Sequence, residues 1–135
     1  MVTRLGPGAR ALVWNWLPVV LWAALIFAFS AQPNLRFASE EGLDFIVRKA
    51  GHMFVFGVLA VLIWRALTLG WRPSVPAMPL GWLLAAAYAA SDEFHQSFTA
   101  GRHPSAVDVG IDSLGALGAL LALAAWLRHR SRPPV

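Results

Sequence analysis

Histidine, lysine and carboxylate side chains recur in this chain where its apolar stretches end. They fall as Arg48-Lys49-x-x-His52, Asp92-Glu93-x-His95-Gln96 and Asp108-x-x-x-Asp112. These residue types can move protons, because a histidine oriented by a carboxylate is a general base; His52 or His95 with Asp92, Asp108 or Asp112 would make such a pair. Lys49 and Arg102 can hold a phosphate or a developing oxyanion through charge-assisted hydrogen bonds. Two histidines with acids can also hold zinc or a similar divalent ion, although no HExxH or other fixed metal spacing occurs.

The elements that must position these residues are helices. Of the 135 residues 58% are hydrophobic and only 13% charged, against about 25% charged in a soluble domain. Seven tryptophans fit rings anchored at a lipid–water boundary. The absence of cysteine removes disulfides and thiolate metal sites. The net charge of +4 reads as arginines at a membrane surface; they are scattered between apolar runs, not gathered in a basic stripe, which argues against nucleic-acid binding.

Four apolar runs predict an all-α, integral membrane four-helix bundle in one domain over residues 1–135, with helices at about 14–31, 47–68, 80–98 and 106–127. The first run, 14–31, is long enough to cross alone, with Pro18 expected in its first turns. Ala28-Phe29-Ser30 also resembles a signal-peptide cleavage site, but the run is long for a signal and begins with two tryptophans. The apolar cores of the other three, 53–64, 80–90 and 113–127, cover only about 16 to 22 Å at ~1.5 Å per residue, against ~30 Å of hydrocarbon. To span, each helix must extend through its polar cluster. Residues 32–46, 69–79 and 99–104 are the expected connections, broken by Pro33, Gly70, Pro73, Pro76, Pro79, Gly101 and Pro104. The basic tail from Arg128 reads as a fraying stop-transfer anchor.

Charge sets the direction. With both termini cytoplasmic, Arg4, Arg10, Arg65, Arg72, Arg128, Arg130 and Arg132 lie inside without a single acid. Arg36, Arg48, Lys49 and Arg102 lie outside with every acid of the chain. That obeys the positive-inside rule and places the protein in the cell membrane, multi-pass, with the lipid bilayer as its partner. All three clusters then converge outside, where Ser30 ends the first helix.

Helical spacing sorts them onto faces. Lys49, His52 and Phe56 form one stripe, and Asp92, His95, Gln96 and Thr99 another. Asp108 and Asp112 stand above Gly115 and Ala119, a small-xxx-small pair that lets a neighbouring helix approach closely. Each residue also has a plain structural reading. Arg48 and Lys49 can snorkel, His52 can hydrogen-bond a carboxylate, Asp92 or Glu93 can balance Arg102, and Asp108 can answer a helix dipole. Together they exceed what stability needs, since buried ion pairs add little net stability. The candidate proton-handling set is His52, Asp92, Glu93, His95, Asp108 and Asp112; the candidate binding set is Ser30, Lys49, Gln96 and Arg102. Hydrolysis or group transfer, a metal site, a lipid- or glycolipid-binding site and an ion path all remain open, the last lacking an ionisable inner half.

These residues resemble the VanZ-like family of small bacterial membrane proteins. The resemblance runs through Ser30-Ala31-Gln32-Pro33, Lys49-x-x-His52-x-x-x-Phe56, Asp92-Glu93-Phe94-His95-Gln96-Ser97-Phe98, Gly101-Arg102, Asp108, Asp112, Gly115 and Gly118. Phe56 stands where such proteins often carry tyrosine, and Ala100 where proline is common. The resemblance implies a multi-pass membrane protein of the cell envelope and a link to resistance against the lipoglycopeptide teicoplanin. It supplies no reaction. A lipid-linked or amphiphilic envelope substrate is the expected ligand.

Overall fold

The computed structural model describes residues 7–32, 38–70, 76–99 and 105–131. They form four helices: α1 (Pro7–Ser30), α2 (Glu41–Gly70), α3 (Ala77–Gln96) and α4 (Ala106–Arg130). α2, α3 and α4 each run past their short apolar cores and through the polar cluster beside them, as expected of those three.

The helix ends differ from expectation for local reasons. α1 begins at Pro7, a residue preorganised for a first turn. Pro18 therefore sits inside the helix, not in its first turns, and removes the amide that the Trp14 carbonyl would accept from. α2 begins at Glu41, so residues 41–46 are helix and not connection. Glu41 and Asp44 fall in its first turn, where the helix dipole favours acids. Asp44 Oδ1 also accepts the Ala38 amide at 3.2 Å, tying the preceding chain to that turn. Pro79 lies in the first turn of α3, where its missing amide costs little. The basic C-terminal segment continues α4 as far as Arg130, whose guanidinium lies 4.2 Å from the Trp126 ring centroid.

α2 is the hub. It packs against α1, α3 and α4, while α3 and α4 also pack on each other and α1 touches α3 only lightly. α2 and α4 lie side by side and parallel: Lys49 meets Asp108, His52 meets Asp112, and Gly57 meets Gly115 and Ala119, all at nearly constant offset. Glycine makes this approach. A Cβ on Gly115 would stand 2.6 Å from the Met53 Cα, and one on Gly57 3.1 Å from the Ala119 Cβ. Gly115 and Ala119 thus do what their spacing predicts. Gly57 completes the contact from the other side.

The shared core is Phe56, Leu59, Ala60, Ile63, Ala85, Ala89, Ala116 and Leu120. Three indole or phenol groups pin helices to neighbouring backbones: Trp22 Nε1 donates to the Val55 carbonyl at 2.8 Å, Trp82 Nε1 to Ser113 at 3.0 Å, and Tyr88 Oη to Ala23 at 2.7 Å.

α1, α2 and α4 are long and apolar enough to cross a membrane. α3, with 20 residues ending in Asp92, Glu93, His95 and Gln96, does not reach that standard. Large apolar side chains stand exposed on the outer faces, among them Trp14, Val20, Leu21, Phe29, Phe54 and Leu121.

Candidate functional site

The polar residues gather where α1 and α3 end and α4 begins, with Lys49 and His52 roughly two to three turns inside α2. Two clusters form there. Between α2 and α4, Lys49 Nζ pairs with Asp108 Oδ1, and one turn deeper His52 Nδ1 lies 3.2 Å from Asp112 Oδ2. Parallel packing puts these pairs in register, since Lys49 and His52 are one turn apart on α2, as Asp108 and Asp112 are on α4. Between α1 and α3, Ser30 Oγ donates to Asp92 Oδ2 at 2.7 Å, and Gln96 Nε2 donates to the same oxygen at 2.9 Å.

The clusters are neighbours. α3, which carries Asp92 and Glu93, packs on both α2 and α4, which carry the other cluster. Asp92 and Asp112 are 3% and 2% exposed. Among the described residues, each keeps one oxygen, Oδ1, buried without a hydrogen-bond partner. An unmatched buried acceptor costs about 1–3 kcal/mol, and more when charged, so a site built only for stability has no use for two.

The residues singled out by type and spacing divide as follows. Ser30, Lys49, His52, Asp92, Gln96, Asp108 and Asp112 form the two clusters. Glu93 is buried beside them, and its Oε2 accepts the Ser105 amide at 2.8 Å. That places a carboxylate at the start of α4, a capping arrangement favoured by the helix dipole. His95 turns away. Its ring stacks on Phe27 of α1 with centroids 3.9 Å apart, and its Nδ1 is buried without a partner. It therefore does not share the Asp92 and Gln96 contacts, although helical spacing puts all three on one broad face. Arg102 lies outside the described residues. Among the described residues no group of three or more histidines and acids is placed to hold a metal ion.

Two contributors escaped the site reading. Asp44 is buried, holds the Ala38 amide and lies 3.1 Å from Arg48 Nε. The signal was present in the four-residue spacing of Asp44 and Arg48, acid before base. Trp22 is the second. It helps to line a cleft of about 310 Å³ between α1 and α2, which Ser30, Arg48 and His52 also line.

The arrangement suits proton exchange with a polar group. If His52 carries its proton on Nδ1, donation to Asp112 fixes the ring and directs Nε2 away from the carboxylate as an acceptor. Lys49 is held by Asp108, so its charge is balanced locally.

No curated protein and no solved structure matches the chain. The sequence profile of VanZ/LLP1 matches residues 12–127. That range takes in all four helices' apolar cores and both polar clusters, and the chain belongs to this VanZ-like family.

Proposed function

We propose that this chain is an integral protein of the cell membrane, with both termini cytoplasmic, whose outward-facing polar clusters bind and act on the head group of an amphiphilic envelope substrate. The observation that carries this is the convergence of all four helices on two neighbouring polar clusters that bury Asp92 and Asp112, each with an oxygen that has no hydrogen-bond partner among the described residues. Ionisable groups at membrane depth mark functional sites, because their burial costs more than it returns in stability.

The membrane reading rests on three spanning-length helices, on exposed leucines, valines and phenylalanines that water would not tolerate in such number, and on the charge asymmetry of the sequence. α3, about 30 Å long at 1.5 Å per residue, crosses with α2 and α4, against which it packs. His52, oriented by Asp112, is the group that exchanges a proton with the substrate. Asp92, held by Ser30 and Gln96, receives the substrate's donors. The enzyme reading is a membrane-embedded hydrolase or transferase; simple lipid binding is its alternative, favoured by the balanced charge of Lys49.

The test is teicoplanin susceptibility, with vancomycin alongside, in a Gram-positive host carrying wild type, Asp112→Asn, His52→Gln or Asp92→Asn. Membrane abundance is measured for each. Protection by wild type and its loss in equally abundant variants is the expected result. No protection by abundant wild type would separate the chain from resistance, and the same variants would then be scored on the native host's envelope lipids. Full function in all three variants would overturn the site.

A further inference from the structure

The cleft between α1 and α2 holds about 310 Å³, the low end of the range for small-ligand pockets. Leu25 and Phe29 line it from α1, Val47 and Val55 from α2. Gly51 adds no side chain, and a Cβ there would meet nothing within 4 Å. Since α1 and α2 run antiparallel, the bond from Trp22 to the Val55 carbonyl crosses the apolar end. Ser30, Arg48 and His52 line the opposite end.

Those polar lining residues are each backed by an acid. Ser30 leads to Asp92, His52 to Asp112, and Arg48 to Asp44. Asp92 and Asp112 do not line the cleft themselves; they stand behind it, each meeting the lining side chain through Oδ2. Ser30 Oγ, having donated to Asp92, has lone pairs that accept, and a His52 that donates from Nδ1 accepts at Nε2, so a ligand that meets them must bring donors. Arg48, which also lines the cleft, pairs with Asp44 through Nε, and the other nitrogens of its guanidinium suit a phosphate.

We infer that this groove takes one hydrocarbon chain of a phosphate-bearing bilayer lipid whose head group also carries hydroxyls. The phosphate lies at Arg48, and the hydroxyls reach the Ser30–Asp92 and His52–Asp112 pairs. This rests on the membrane reading proposed above and names its substrate class. Both walls belong to helices long and apolar enough to span, so the groove opens sideways among lipid chains. At about 310 Å³ it would hold less than one turn of a helix about 10 Å across, whereas a single alkyl chain fits.

The experiment is native mass spectrometry of the full-length protein in detergent, with phosphatidylglycerol or phosphatidylmethanol, both singly anionic, of matched chains. Both carry phosphate; only the first offers hydroxyls. Wild type should retain phosphatidylglycerol about tenfold better or more, the size of one hydrogen bond. Gly51→Leu fills the groove and should lose that retention while keeping the wild-type melting temperature. Arg48→Gln should weaken both lipids. If Gly51→Leu melts early, Gly51→Ala decides, with partial loss expected and wild-type retention fatal. Equal retention by wild type and Gly51→Leu, equal retention of the two lipids, or a wild-type dimer that Gly51→Leu splits would each overturn the inference. Its fate is separable from that of the proposed function. Full envelope function in Asp112→Asn overturns the proton-exchange role whatever the lipid data show, and unchanged lipid retention in Gly51→Leu overturns the groove whatever Asp112→Asn does.

Discussion

His52 Nδ1 lies 3.2 Å from Asp112 Oδ2, an imidazole of α2 held by a carboxylate of α4 that is almost wholly buried. One turn nearer the helix ends, Lys49 meets Asp108 in the same register. The two pairs join the parallel helices at the site end, while glycine joins them deeper in the bundle.

The pair predicts strong coupling. His52→Gln and Asp112→Asn should each abolish function at near-normal membrane abundance. Asp112→Ala should be worse for stability, because it removes the carboxylate that meets His52 Nδ1 and leaves a void. A double-mutant cycle across the two positions should give an interaction of about 0.5–3 kcal/mol. The check is unfolding in mild detergent run beside the functional assay. Additive effects would mean that the two residues act separately.

His95 should matter less. Its ring stacks on Phe27 and shares no hydrogen bond with the aspartates. His95→Phe should preserve the stack, the abundance and most function, whereas His52→Phe should not preserve function. Assayed together, these variants decide whether His95 is a proton carrier or a packing residue. Loss of function in abundant His95→Phe would return it to the chemistry.

Lys49 and Asp108 are partly exposed, so their attraction is screened and worth about 1 kcal/mol or less. Lys49→Ala and Asp108→Ala should therefore cost little stability. Reversing one charge should cost more, by setting like charges against each other. The exchange Lys49→Asp with Asp108→Lys should recover part of the loss. Thermal melting of the four proteins checks this.

Two glycines of one helix should respond oppositely. Gly115→Ala drives a methyl into the Met53 backbone and should destabilise by about 1–3 kcal/mol or more. At Gly118 a Cβ meets nothing within 4 Å, so Gly118→Ala should be neutral or stabilise by up to about 1 kcal/mol through helix propensity. Melting temperatures compared in the same detergent would expose any other order.

Ser30→Ala should loosen α1 from α3. It removes one of the two donors on Asp92 Oδ2 and leaves Gln96 as the other. The expected cost is about 1–3 kcal/mol for a buried acceptor deprived of a partner. The readout is proteolytic sensitivity of the segment after α1, which should rise in the variant.

Much of this protein is set by its sequence alone. Four apolar runs give four helices, because a long apolar segment must satisfy its own backbone hydrogen bonds. The polar clusters beside the short cores continue their helices, so Ser30, Asp92, Asp108 and Asp112 lie within about two turns of a helix end, whereas Lys49 and His52 lie roughly two to three turns inside α2, which starts at Glu41. Gly115 and Ala119 announce a close neighbour by size. Helix ends were less legible, because a run of hydropathy does not mark where hydrogen bonding starts; Pro7 and Glu41 begin helices well before their apolar cores. The choice of partners belongs to the tertiary structure. Spacing shows which residues share a face, but the facing helix and its register decide what each one meets. Asp92 found Ser30 and Gln96, His52 found Asp112, and His95, on the same helix as Asp92, found an aromatic ring of α1 instead. The cleft between α1 and α2 likewise has no signature in either helix, since it is the space left where two convex surfaces fail to fill each other around Gly51.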